Sequence, residues 1–426
     1  MKTRIHALGG YQRALFGALW LFSIFAHAAP ELTPPADLPP TASVDAVLAA
    51  HPDVLAAQAR LAAAIAEGRR LHAGEYEYQA RAGYTRRHES GVGGMNDWEI
   101  GIERGLRLPA KARLDAETAA VLVAEAEHRV TDARHEAART LLALWYAALR
   151  GEREVESWRE QLAVLQQQHE TVAKRLRAGD ATKLEIAQAA AAMHQAQAEL
   201  RRVETMAAAS SAMLAARFPG LPKHIPHAGP LPVLSGSADE WVTTALADNH
   251  ELAILQKERE RMQILSRRAQ AELQPDPTVG LHFSHERNGQ DNLVGVSLML
   301  PLPGEARRAR STAASEETNA MTQQVAAAKA RIESEIRGTY LNLQGGLSRW
   351  SAQEDMLREL DRYAGLAWRA YELGEADLFE ALNARKSAHE ARREAATSRL
   401  DVHESAARLL LDGHRLWSYE SSHAAH

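Results

Sequence analysis

RLRAGDATKLEIAQA, Arg175 to Ala189, interrupts a run that otherwise reads as unbroken helix, and YELGEADLFEALNAR, Tyr371 to Arg385, interrupts a second run in the same way. Each stretch places a glycine, Gly179 or Gly374, behind a helical segment and a glutamate, Glu185 or Glu380, six residues later. Glycine is the residue best able to take the left-handed conformation that ends a helix. Both stretches therefore read as turns between two helices, and the same turn occurs twice.

Working outward, two more pairs of segments match in the same order. LAAHPDVLA from Leu48 matches LADNHELAI from Leu246, and RLPAKAR from Arg107 matches PLPGEAR from Pro301. The three offsets are 198, 194 and 195 residues, so a whole unit is duplicated. Between the copies FPGLPKHIPHAGPLPVLSGS, Phe218 to Ser237, carries five prolines and reads as a crossover linker. PELTPPADLPP from Pro30 reads as an extended lead-in.

Each unit opens with a helical segment, Val44 to Glu75 and Asp239 to Leu273. Alternating segments follow. Tyr76, Tyr78, Ala80, Ala82 and Tyr84, then Trp98, Ile100 and Ile102, alternate with polar residues in the first copy. In the second, Val279, Leu281 and Phe283 do so, then Val294, Val296, Leu298 and Leu300. That is the period of a strand with one apolar side. The polar, turn-rich HESGVGGMND and ERNGQD make each pair a β-hairpin. The three tyrosines suit either an interfacial aromatic belt or packing between strands.

After each hairpin a Leu-Pro pair starts a proline-free run, broken only at Gly179 or Gly374. The first run gives helices of about 68 and about 37 residues, the longer on the order of 100 Å. Opening and closing helices together match the long one in length. Two half-length helices stacked against one full-length partner make a uniform slab, the wall of a long tube.

The resulting organisation is a signal peptide at 1–28, a lead-in at 29–43 and a first repeat at 44–217 with strands near 76–88 and 97–108. The linker covers 218–238, the second repeat 239–415 with strands near 277–286 and 292–302, and the tail 416–426. The signal rests on Lys2, Arg4 and Arg13, the apolar run from Ala14 and the small-residue site ending at Ala28. The chain of 426 residues has no cysteine, so a lipid-modified cysteine anchor, a disulfide and a thiolate metal site are all ruled out. A net charge of -5 gives no nucleic-acid-binding profile. The 19 histidines show no compact ligand spacing, and no metal or cofactor is expected. No nucleophile elbow or His-Glu-x-x-His motif suggests an enzyme.

The repeated hairpin-plus-helix units, the Leu-Pro-Ala/Gly-x-Ala-Arg helix starts and the glycine-marked tips together resemble the TolC-like outer membrane factors. WEIGIERGLRLPAKAR, Trp98 to Arg113, is most similar to the heavy-metal efflux branch, the CzcC and CusC-like channels. The resemblance implies a mainly α fold with a small β part. Three chains form a twelve-stranded β-barrel in outer membrane lipid, continued by an α-helical barrel across the periplasm. It implies the exit duct of a tripartite efflux system, partnered by a periplasmic adaptor and an inner-membrane pump. A type I protein secretion duct is the alternative, and a periplasmic coiled-coil adaptor a further one. The strands independently require partners, since four cannot close a barrel and small barrels have about eight.

By the same resemblance the tips form the periplasmic mouth, with Arg175, Gly179, Tyr371 and Gly374 as adaptor-docking candidates and Asp180, Glu185, Asp377 and Glu380 as gate candidates. The chain departs from the family pattern at Ala376, where a basic residue is expected, and at Asn383, where an acidic one is. A mouth closed by the family's salt bridges is therefore not implied.

Overall fold

The computed structural model describes residues 31–222 and 229–417. The proposed signal peptide, part of the linker and most of the tail lie outside them. Two helices, α1 (Thr41–Ala49) and α2 (Pro52–Ala73), lead into β1 (Gln79–Glu89) and β2 (Gly93–Gly105). The 70-residue α3 (Pro109–Ala178) and the 35-residue α4 (Lys183–Arg217) complete the first copy. The second repeats the order: α5 (Ala238–Ala247), α6 (His250–Ala271), β3 (Thr278–Glu286), β4 (Asp291–Met299), α7 (Glu305–Leu373) and α8 (Leu378–Asp412).

The opening segments differ from the sequence expectation, because each is two helices. The chain breaks at His51, which caps α2 by accepting from Asp53 N–H with Pro52 in the first turn, and at Asn249, whose side chain accepts from Leu252 N–H. A capping side chain followed by proline satisfies the orphan donors of a new helix and stops the old one. The hairpin turns are also tighter than expected. β1 runs to Glu89 and β2 starts at Gly93, so only Ser90 to Val92 turn, while Arg287–Gly289 form a 3-10 turn between β3 and β4.

Both α2 and α4 pack on α3, and α6 and α8 pack on α7, so each long helix is covered along its length by two shorter ones. The largest apolar core sits near the middle of α3, where Leu141, Leu142, Trp145, Tyr146 and Leu149 meet α1, α5, α7 and the end of α8. The lead-in is tied into this core. Asp37, fully buried, accepts from Tyr146 Oη at 2.9 Å and pairs with His403 Nδ1 at 3.1 Å, while its carbonyl accepts from Trp145 Nε1 at 2.8 Å.

The four strands form one antiparallel sheet in the order β1-β2-β3-β4. The two hairpins thus join through β2 and β3, with Ile100 opposite Phe283 and Ile102 opposite Leu281. At the foot of the sheet Asp276 gathers both copies. It accepts from Tyr76 Oη at 2.8 Å and Leu108 N–H at 3.0 Å, and pairs with the buried Lys111 Nζ at 3.1 Å. That geometry places the Leu-Pro start of α3 directly under the strands.

Candidate functional site: sheet faces, edges and helix tips

Register decides which side chains share a face of the sheet. Ala82, Ile100, Phe283 and Val294 lie in one cross-strand row, and Ala80, Ile102, Leu281 and Val296 in the next. Tyr84 and Trp98 stand above them and Leu298 below. Apart from the half-buried Phe283, these are exposed in the single chain, Val294 and Val296 at 75% each. The opposite face carries Arg81, Arg87, Asp97, Glu99, Glu103, His282, Ser284 and Ser297, with Arg87 and Asp97 paired at 2.9 Å. An apolar side fully open to its surroundings, backed by a charged side, is the pattern of a barrel wall between lipid and water. Tyr76 belongs to the junction, packed on Gly105, whereas Tyr84 stands on the apolar face beside Trp98.

The sheet's outer strands, β1 and β4, each pair on one side only within the chain. An apolar sheet with two open edges cannot sit in hydrocarbon, where every backbone donor and acceptor needs a partner.

At the other end of the long helices both turns close alike. Gly179, with φ +87°, follows α3, and Gly374, with φ +75°, follows α7. Asp180 N–H reaches Arg175 O at 2.8 Å and Glu375 N–H reaches Ala370 O at 2.8 Å, the two-bond closure that a left-handed residue allows. Next comes a helix cap. Thr182 and Glu185 form a reciprocal capping box on α4, with Thr182 N–H donating to Glu185 Oε2 at 2.6 Å. Asp377 caps α8 by accepting from Glu380 N–H at 2.7 Å.

The candidate residues thus separate into distinct environments. Tyr371 is 2% exposed, inside a small core with Val172, Ala189, Leu378 and Ala381. Arg175 lies over its ring at 4.5 Å and donates to its carbonyl at 2.8 Å, joining the two tips. The Tyr371 hydroxyl stands beside the Glu185 carboxylate, outside strict hydrogen-bond geometry; burial first, and then that carboxylate, push the phenol up to about 12. Glu185 is held below the usual carboxylate range, chiefly by the Thr182 N–H. Asp180, Asp377 and Glu380 are exposed, as are Leu184 and Phe379 beside them.

Residues 241–411 match the family model for outer membrane efflux proteins. No curated protein matches the chain by sequence. Among solved structures, the outer membrane protein VceC of Vibrio cholerae superimposes with a TM-score of 0.72 at 18% identity, covering 88% of this chain and 95% of VceC. The CmeC outer membrane channel of Campylobacter jejuni gives 0.71 at 13% identity, covering 88% and 84%. CusC gives 0.73 at 13% identity, covering 89% and 92%. The chain has the TolC-like fold.

Because VceC, CmeC and CusC lie equally near, the TolC-like fold does not separate out the heavy-metal branch. Among the described residues no group of three or more His, Asp or Glu side chains is arranged to hold a metal ion. No described helix is long and apolar enough to cross a membrane. Sequence spacing gave no hint that His135, His250 and His414 meet. Their ring centroids lie 4.6 to 6.0 Å apart where α3, α6 and the end of α8 converge.

Proposed function

We propose that this chain is the outer membrane exit-duct subunit of a tripartite efflux system. Three copies close a twelve-stranded β-barrel in outer membrane lipid, and their long helices extend the duct through the periplasm. The chain reaches that place by cleavage of the signal at 1–28 and has no lipid anchor. It performs no catalysis. The helical tips meet a periplasmic adaptor bound to an inner-membrane pump, with Arg175, Gly179, Tyr371 and Gly374 shaping the docking end. Since Tyr371 is buried, it acts by fixing the tip, and the exposed Leu184 and Phe379 make the contact. Asp180, Glu185, Asp377 and Glu380 supply the acidic rim of the mouth.

The observation that carries this reading is the sheet: an apolar outer face with two open edges is complete only in a closed ring of copies within lipid. The test is the mass and extraction behaviour of the full chain. Extraction from outer membranes should require detergent, and the extracted species should weigh three mature chains. A detergent-free, soluble monomer with its full strand content overturns the proposal.

A further inference from the structure

At the middle of the molecule each repeat pins the end of its returning helix to the break in its leading helix, and the two pins differ in chemistry. In the first repeat Phe218, directly after α4, stacks on His51, the cap of α2, with centroids 5.1 Å apart. In the second, His414, two residues beyond α8, packs edge-on against His250, the first residue of α6, at 4.6 Å. His135 of α3 completes the trio, 5.3 Å from His414 and 6.0 Å from His250. The first pin joins one imidazole to a benzene ring; the second joins three imidazoles.

We propose that the His135, His250 and His414 cluster is an acid-released latch, which frees the end of α8 in the second repeat while the His51 and Phe218 pin holds the first repeat closed. Protonating two rings at 4.6 Å places like charges together in a half-buried space. The surrounding anions are engaged by arginines, though Asp412 also stands 3.6 Å from His135 Nε2 and favours a proton there. Asp412 pairs with Arg139 at 2.8 Å and Arg408 at 2.9 Å, and Glu251 of α6 and Glu335 of α7 share Arg331. Glu136 of α3 also pairs with Arg139, and burial raises its neighbour Asp132, weakening that carboxylate as a counter-ion. Asp248, before α6, and Asp412, at the end of α8, favour a charged His414, whereas His135 and Arg139 oppose it. His128 of α3 adds a further imidazole to the field at His250. The positive end of the α6 dipole also disfavours a cation at His250.

Burial, then His414, His135 and His128, push His250 down to about 4; burial first, then His135, lowers His414. With folded values below the unfolded one, the folded latch binds fewer protons than the open chain. Its stability is full above about pH 6.5 and falls as pH drops toward 4. Asp412 favours charge on His135 and His414, but its own titration does not reverse the direction. Although burial opposes it, His135, Arg139 and Arg408 hold Asp412 down to about 2, so it stays charged across that window. The released segment is short and strained. His414 and Trp417 hold φ of +56° and +51°, and Leu416 and Trp417 are buried.

The experiment is hydrogen exchange on the detergent-purified full chain at about pH 7.5 and about pH 5, with rates corrected for intrinsic exchange. Protection in residues 405–417 should fall about tenfold or more on acidification, while residues 208–218 keep theirs. Replacing both depressed rings, His250→Phe with His414→Phe, should abolish the acid response. If that variant does not assemble, His250→Gln with His414→Gln gives the same readout. No acid response in the wild type, equal loss in both repeats, or an acid response that survives either substitution overturns the latch.

Discussion

Residue identity matters most where two equivalent positions have different surroundings, and Glu185 and Glu380 are such a pair. Each occupies the third position of a helix behind a glycine turn, but Glu185 folds back onto Thr182 while Glu380 stands exposed. Their repeat spacing was legible; their different attachments were not, because a threonine cap invites a capping box and an aspartate cap does not need one. Glutamine also serves in a capping box, so Glu185→Gln removes the charge and keeps the helix start. As the depressed Glu185 carboxyl favours the folded cap when ionised, that stabilisation is present above the ordinary glutamate range and fades as pH falls through the lowered value. In planar bilayers under a salt gradient, Glu380→Gln should reduce cation preference more than Glu185→Gln, and the double substitution most, with the oligomer intact. Unchanged selectivity in an assembled double variant would leave both as rim carboxylates without a part in conduction.

At the scale of the element, the strands state their environment through alternation, and β4 is the clearest case. Val296 faces outward with Ile102 and Leu281, and its neighbour Ser297 faces the charged side. Val296→Arg should therefore cost about 2 to 4 kcal/mol if it lies near the bilayer midplane, and should deplete assembled protein in outer membranes. Ser297→Arg should assemble near wild-type levels, as read from the heat-dissociable oligomer on gels. Equal yields would mean that the apolar face does not meet lipid. This alternation was readable from sequence because a strand's period of two needs no knowledge of neighbours. The breaks at His51 and Asn249 were harder to read. Helical apolar spacing continues through both, and the signals are a proline at the first helical position and a capping asparagine inside segments that also mark the repeat. Local capping ended helices that periodicity alone would have continued. The histidine trio was beyond sequence reasoning altogether, since each pair of its members is more than a hundred residues apart and no ligand spacing joins them.

For the whole molecule, closure is the controlling constraint. Within one chain the order β1-β2-β3-β4 is antiparallel throughout, so β1 and β4 run in opposite directions. Placing β4 of one copy beside β1 of the next therefore continues the same alternation, and the ring can be extended by any number of chains until it closes. Sequence spacing gave four strands and the need for partners, but not the joining of the hairpins through β2 and β3, which depends on contacts between copies of the repeat about 180 residues apart. Two chains would give eight strands and three would give twelve; both are permitted barrel sizes. Because the chain has no cysteine, an introduced pair reports on this edge alone. Ala82→Cys in β1, combined in turn with Val294→Cys, Val296→Cys or Leu298→Cys in β4, keeps both thiols on the apolar face and scans the register between copies. A disulfide needs Cα atoms within about 7 Å, so only the pairing that brings the edges into register should cross-link under oxidation. The expected product is a reducible ladder of one, two and three chains that stops at three. A ladder that stops at two would retain the closed barrel and refute the trimer. Failure of all three pairings in membrane-assembled protein would refute edge-to-edge closure itself.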